Sequence, residues 1–138
     1  MINLFIDTDV ILDLLADRKP FSGEAAMLFT LAEQKKIKAF TSSLTFSNLY
    51  YVLRRVEAHP KVMIKLTGLS GLLSILKVDE LAVRNAIASG FSDFEDGLQY
   101  FCALDHKHID VIITRNIKDY KNSEIPVMRP GDFLKTIQ

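Results

Sequence analysis

The sequence predicts an α/β fold: a three-layer α/β/α sandwich around a central parallel sheet of four to five strands. Three observations carry this. Short apolar, β-branched runs recur along the chain, at the stretch ending in Asp7 and near 37–41, 73–78 and 110–114. Segments with apolar residues at helical spacing separate them, and that alternation is the mark of βαβ units. The first run, Ile2-Asn3-Leu4-Phe5-Ile6, is continuously apolar around Asn3 and turns acidic only at Asp7. A strand buried on both faces of a parallel sheet reads that way.

A length of 138 residues with 49% hydrophobic content fits one domain over 1–138 with a substantial core. The 17 basic and 17 acidic residues give a formal net charge of zero. Binding nucleic acid through phosphates alone calls for a basic excess, so a simple DNA-binding module is not expected. A nuclease stays open, because an acidic metal site can balance a basic rim. No apolar run approaches the roughly 20 residues of a membrane span. No basic leader precedes the first apolar residues, so no signal peptide is expected. The single cysteine, Cys102, forms no internal disulfide and suits a reducing, cytoplasmic setting.

The elements follow in order. After Asp7, residues 10–16 form a short helix, broken at Asp17-Arg18-Lys19-Pro20 by the proline. Ser22 caps a second helix reaching about residue 35, with Ala25, Leu28, Phe29 and Ala32 on its apolar face. Residues 37–41 are the second strand. A helix then starts at Thr45, buries Leu49, Val52, Leu53 and Val56, and ends at His59-Pro60. Residues 62–73 are helical, loosened by Gly68 and Gly71; 73–78 form the third strand. Asp79-Glu80 opens a helix that stops at Gly90. Asp93 is the N-cap of the next helix, with Phe94, Leu98, Phe101 and Cys102 on one face. Residues 110–114 are the fourth strand, 126–128 an edge strand, and Asp132 begins a terminal helix.

Right-handed crossovers put all strand carboxyl ends on one edge. Asp7, Asn48, Asp93, Asp96, Asn116 and Asp119 all map there, at strand ends or helix starts. Clustered carboxylates repel unless a cation sits among them. Mg²⁺ and Mn²⁺ suit such a site, being hard and oxygen-loving. With two ions about 4 Å apart it clamps both oxygens of an in-line displacement, which favours phosphodiester hydrolysis. Ordinary roles compete: capping for Asp93, the helix dipole for Glu95 and Asp96, a loop acid for Asp119. Asp9 and Asp13 read as a turn residue and a solvated helix face. No spacing supports zinc, a phosphate-binding glycine loop or a nucleophile elbow.

These residues resemble a known family, the PIN domains, small α/β nucleases that include VapC-type toxins. Three pieces carry the likeness: Phe5-Ile6-Asp7-Thr8-Asp9-Val10, Asp93-Phe94-Glu95-Asp96-Gly97-Leu98-Gln99, and Ile112-Ile113-Thr114-Arg115-Asn116 followed by Asp119-Tyr120. The resemblance implies a Mg²⁺- or Mn²⁺-dependent endoribonuclease acting on single-stranded RNA. Catalytic positions are then Asp7, Asp96, Asp119 and Thr114. Metal positions are Asp7, Asp93, Asp96 and Asp119, with Thr8, Asn48 and Asn116 in support. It also implies a toxin's antitoxin partner and a homodimer. Leu66, Leu69, Leu72, Leu73 and Phe91 are candidate contact surface, with core packing the safer reading. The family usually carries Glu where this chain has Asn48. An amide brings no charge, so a weaker second metal site or a one-metal enzyme is expected.

Two other classes compete. A degenerate, non-catalytic domain that binds RNA or antitoxin fits Asn48 and the neutral charge. The opening also resembles haloacid-dehalogenase-like phosphatases, with Asp7 as nucleophile and Thr41 or Ser42 as a later strand-end hydroxyl. That reading lacks the lysine and paired acids such enzymes need.

Overall fold

A computed structural model describes residues 1–106 and 108–137. Strands β1 (Ile2–Ile6), β2 (Ile37–Ser42), β3 (Ser74–Leu76), β4 (Val111–Ile113) and β5 (Val127–Met128) form one five-stranded sheet. Every pairing is parallel, and the order is β3-β2-β1-β4-β5. The expected α/β class and the central place of the first strand both hold.

Alternation along β1 splits the core between two faces. Leu4 and Ile6 join Val10, Leu28, Leu49 and Phe133 on one side. That side is covered by α1 (Thr8–Leu15), α2 (Ser22–Glu33), α3 (Ser43–Leu53), α4 (His59–Ser70) and α7 (Pro130–Thr136). Phe5 joins Phe40, Tyr100, Ala103, Ile112 and Tyr120 on the other. There α6 (Phe94–Asp105) covers the sheet, with α5 (Glu80–Ala88) packed against it.

The chain winds outward from β1 through β2 to β3, then crosses back to place β4 on the far side of β1. The strand order therefore reverses between β1 and β4. Open α/β sheets hold their ligands in the crevice at such a point, outside the carboxyl ends of the strands. Asp7 follows β1 and Thr114 follows β4, so the topology brings these two together.

Several local expectations need correction. Ser22 is the first residue of α2 rather than its cap, and Phe21 precedes it with no side-chain cap. The helix after β2 starts at Ser43, with the Ser42 hydroxyl accepting from the Thr45 N–H at 3.2 Å. It ends at Leu53, so Val56 lies beyond it and is exposed. His59-Pro60 opens α4 instead of closing α3. Proline is pre-set for a helix's first turn, where its missing N–H has no intrahelical partner to lose. The same logic starts α7 at Pro130, two residues ahead of Asp132. Phe94 is half exposed, because α6 turns Leu98, Tyr100, Cys102 and Ala103 inward instead. Leu69 is core, and Leu66, Leu72, Leu73 and Phe91 pack against it or its counterpart across the sheet, as the safer reading had it. Cys102 packs as a small hydrophobe, its thiol donating to the Lys77 carbonyl at 3.3 Å. Burial pushes that thiol up to about 12. No helix among the described residues is long and apolar enough to cross a membrane.

The revised end of α3 has a measurable consequence. Leu49 is fully buried and Val56 is 79% exposed. Leu49→Ala should cost about 3 kcal/mol of stability through the cavity it leaves. Val56→Ala should stay within about 0.5 kcal/mol. Urea unfolding curves compare the two, and equal losses would mean that Val56 is packed after all.

Candidate active site

Asp7 stands in the crevice. It is the residue between β1 and α1, with an extended backbone and a side chain that does not cap the helix. Only 2% of it is exposed. A carboxylate so placed needs donors, and three elements supply them. Gln99 Nε2 of α6 donates to Oδ1 at 2.8 Å, and Thr114 Oγ1 donates to Oδ2 at 2.7 Å. The Tyr120 hydroxyl adds a longer contact to Oδ2 at 3.4 Å. Burial raises the Asp7 pKa, and these hydrogen bonds oppose the rise. Burial and the Asp7 charge together push the Tyr120 hydroxyl far above its usual range, so it stays a donor.

The donors are themselves held in place. Gln99 Oε1 accepts from the Thr8 N–H and the Thr8 hydroxyl, each at 3.3 Å, which fixes which way the amide faces. The Thr8 hydroxyl meets Thr45 Oγ1 at 3.1 Å, and Thr41 donates to the Ile6 carbonyl at 3.0 Å. Thr114 Oγ1 accepts from the Asn116 N–H at 3.0 Å while it donates to Asp7. Thr8, Thr114 and Asn116 thus do stand at this centre, Asn116 through its backbone; its side chain is exposed.

Asp96 and Asp119 come to the same crevice. Asp96 lies one turn into α6 and is mostly buried. Burial, the charges of Asp7 and Asp93, and a side-chain contact with Asp119 push its pKa up to about 8. Asp119 sits on the short 3₁₀ turn Ile117–Tyr120 that follows β4. Asp93 is exposed and caps α6, its Oδ1 accepting from the Asp96 N–H at 3.0 Å. It acts on the crevice by its charge. Burial and the charges of Asp93 and Asp7 raise Glu95 as well, while nearby Asn48 lowers it. The Asn48–Glu95 approach falls short of a full hydrogen bond, so Asn48 Nδ2 stays a buried donor without a partner among the described residues.

Asp9 and Asp13 depart from the sequence reading. Asp9 lies within α1 rather than in a turn, and Asp13 is not solvated. Asp13 is fully buried and takes both Nε and Nη2 of Arg115, at 2.7 and 3.1 Å. Arg18 Nε lies 2.8 Å from Asp13 Oδ1, but its N–H is misaligned, so that contact is an ion pair more than a hydrogen bond. The Arg115 guanidinium also lies over the Phe21 ring, 3.9 Å from its centroid. Both carboxylate oxygens of Asp9 are buried with no partner among the described residues. Burial and the charge of Asp7 lift Asp9 to about 7, against the pull of Arg115.

The sequence reading thus missed Gln99, Tyr120, Glu95 and the Asp13–Arg115 pair as parts of the site. Tyr120 and Gln99 lie inside the quoted motifs, but an uncharged side chain gives no sign that it faces an acid. Arg115 beside a strand end was the available signal for a buried acidic partner.

Oxygen donors dominate the crevice, and they raise one another's pKa. That donor chemistry fits a hard divalent cation, which Asp7, Asp96 and Asp119 would hold and whose charge would offset their mutual repulsion. As the side chains lie, no group of three or more His, Cys, Asp or Glu among the described residues is positioned to hold an ion.

A five-stranded parallel α/β fold with acids gathered at the β1/β4 switch point defines a class, and the chain belongs to it: the family model described as PIN domain matches residues 3–118. The chain is 26% identical over 135 residues to Ribonuclease VapC1 of Aquifex aeolicus (strain VF5), covering 94% of this chain and 92% of that protein. In fold it resembles a chain of VapBC2 from Rickettsia felis, solved bound to a DNA fragment from its promoter. The TM-score is 0.69 at 15% identity, covering 93% of this chain and 98% of that one. It also resembles VapC20 of Mycobacterium tuberculosis, described as a sarcin–ricin loop cleaving toxin. There the TM-score is 0.61 at 18% identity, covering 79% and 86%. Membership in this family displaces the phosphatase reading.

The acid cluster makes metal-free stability depend on pH. Folded Asp96 keeps its proton up to about 8, whereas an unperturbed Asp releases it near 3.8. Between those values the folded state binds more protons, so this contribution to stability falls as pH rises from about 4 to 8. Asp9, raised to about 7, acts in the same direction. Urea midpoints in EDTA should therefore drop between pH 5 and pH 8, and Asp96→Asn should flatten the drop. A midpoint that rises over that window would contradict the arrangement.

Removing Asp13 tests the clamp. Asp13→Ala leaves two arginines without their acid. Breaking a buried pair costs about 3–5 kcal/mol, and Arg18, 40% exposed, stays partly hydrated, so the lower end applies. Denaturant unfolding measures it; a loss below about 1 kcal/mol would mark the pair as an ordinary surface contact.

Proposed function

We propose that the protein is a Mg²⁺- or Mn²⁺-dependent endoribonuclease that cleaves single-stranded RNA, and that it is the toxin of a toxin–antitoxin pair. The single observation behind this is the buried carboxyl of Asp96, beside Asp119 and within charge reach of Asp7 at the strand-order switch. The likeness to a VapC ribonuclease, at 26% identity over nearly the whole chain, supports the same reading.

In this reading Asp7, held by Gln99 and Thr114, offers a carboxylate edge of fixed orientation. Asp96 and Asp119 supply the facing oxygens. Asp93 caps α6 and adds charge from one turn away. A cation held by these acids would supply Lewis-acid chemistry, activating water and offsetting charge on the phosphate. Thr114 keeps Asp7 oriented through each turnover. Glu95 lies within charge reach of Asp7 and beside Asn48, and so offers the negative charge that Asn48 lacks. That favours an active enzyme over a degenerate scaffold. Partners follow the same line: solved relatives include a toxin–antitoxin complex from Klebsiella pneumoniae, and an antitoxin segment over this crevice would hold the enzyme off. A homodimer and a cytoplasmic location belong to the same proposal.

Purified protein should cut a fluorogenic single-stranded RNA with Mn²⁺ and not with EDTA. Asp7→Asn and Asp96→Asn should each slow cleavage by about 100-fold or more, the upper range for groups that hold a metal site together. Glu95→Gln should lose about tenfold at limiting Mn²⁺ and recover at high Mn²⁺. Equal rates for wild type, Asp7→Asn and Asp96→Asn would place any activity elsewhere.

A further inference from the structure

A cleft of about 380 Å³ adjoins the acid centre and shares Asp119 with it. Phe91, Tyr100 and Phe101 line it from α6 and the loop before α6; Lys118, Lys121 and Asn122 line it from the segment after β4. The three rings form one cluster. Phe91 and Tyr100 lie 5.3 Å apart between centroids, and Tyr100 and Phe101 lie 5.1 Å apart. Phe91 and Phe101 are only half-buried, so part of their ring surface stays available, whereas Tyr100 is nearly covered. The Tyr100 hydroxyl accepts the Glu124 N–H at 3.0 Å, and its own proton has no acceptor among the described residues. Lys118 and Lys121 are exposed.

We infer that this cleft is a nucleobase pocket that seats one base of the RNA strand next to the scissile phosphate. The inference rests on the ribonuclease reading for its substrate, but its chemistry is separate. Small-molecule sites begin at about 300 Å³, so the cleft has room for a nucleotide and little more. A flat, apolar-faced base with polar edges matches aromatic rings combined with a free hydroxyl donor and the Asn122 amide. Stacking on aromatic rings with lysines along the backbone is how single strands are commonly held. Asp119 fixes the register, because it borders both the cleft and the Asp96 carboxyl. A strand with its phosphate at the carboxylates therefore has a neighbouring base at the cleft. Lys118 and Lys121 flank Asp119 in sequence and offer cations to the adjoining phosphates. Glu124 also borders the cleft, so those phosphates are expected on the lysine side. An apolar peptide would use the rings but leave the lysines and the tyrosine donor idle.

The test is a ¹H–¹⁵N NMR titration of the full chain in EDTA. The probes are the four nucleoside 5′-monophosphates, with ribose 5-phosphate as the control without a base. Shifts should concentrate at Phe91, Phe101, Lys118, Lys121 and Asn122 and differ among the four bases. Phe101→Ala should weaken binding about tenfold, and Phe101→Tyr should keep it. If Phe101→Ala does not fold, Lys121→Glu on an exposed side chain serves instead and should weaken binding measurably. Equal shifts with ribose 5-phosphate, shifts only elsewhere, no shifts, or full affinity in the folded variant would each overturn the assignment. Wild-type RNA cleavage is scored separately. Base-specific shifts without any cleavage leave the pocket standing and remove the ribonuclease reading; cleavage without such shifts does the reverse.

Discussion

A carboxylate buried at the end of the central strand is the constraint the rest of the structure answers to. Taking the Asp7 charge out of water costs several kcal/mol unless donors replace the water. Those donors come from α6, from the residue after β4, and from the 3₁₀ turn beyond it. Two of them are fixed by a further hydrogen bond: Gln99 by Thr8, Thr114 by Asn116. One side chain thus ties the end of β1 to three other segments. The parallel register of β1 with β4, Ile6 beside Ile113, is what brings Thr114 within 2.7 Å. If β4 slipped by one residue against β1, Asp7 would lose the Thr114 donor and be pushed further toward its neutral form.

The second consequence of that charge is repulsion. Asp96 and Asp9 are both raised by burial first and by Asp7 next. Solvating all three acids separately would have been the easy arrangement. Instead the fold holds Asp96 in the first turn of α6, where the Asp93 cap fixes the backbone and the helix N-terminus partly offsets the negative charge. Such an arrangement is strained by its own charge until protons or a cation enter. This is the physical ground for reading the crevice as a binding site rather than as a structural network, which would have paired its acids with basic residues.

The overall architecture was legible because strand and helix periodicities differ and alternate along the whole chain. Asp7 was legible too, since a buried strand rarely ends in an acid. Helix boundaries near proline were not: His59-Pro60 reads as a stop in one direction and a start in the other, and only packing of Val62 and Leu69 decides. Asp9 and Asp13 were misjudged for a related reason. Asp9 looks like a turn residue just after the strand, and Asp13 like the polar stripe of an amphipathic helix. The stripe is in fact covered by the loop after β4, which brings Arg115 from a hundred residues away. Long-range pairing of this kind leaves no local trace. Glu95 escaped because its neighbour Asp96 explained the same helix turn.

The destination of Arg115 also shapes what the crevice can recognise. An arginine directly after a strand that ends in the site would ordinarily be a phosphate ligand, since its planar fork suits two phosphate oxygens. Here Asp13 takes two of its nitrogens and Phe21 covers its face. Arg18 is spent on Asp13 and on the Asp9 carbonyl, at 2.8 and 3.1 Å. Both guanidinium groups near α1 are therefore structural, and with a formal net charge of zero the protein has no general excess to draw on. In the proposed ribonuclease, positive charge for an RNA backbone would come from residues free to turn toward it. Lys118 and Lys121, exposed on either side of Asp119, are the nearest by sequence to the acid centre. With the clamp holding both arginines on Asp13, phosphate contact in the proposed ribonuclease would fall to the segment after β4, the same segment that lines the aromatic cleft.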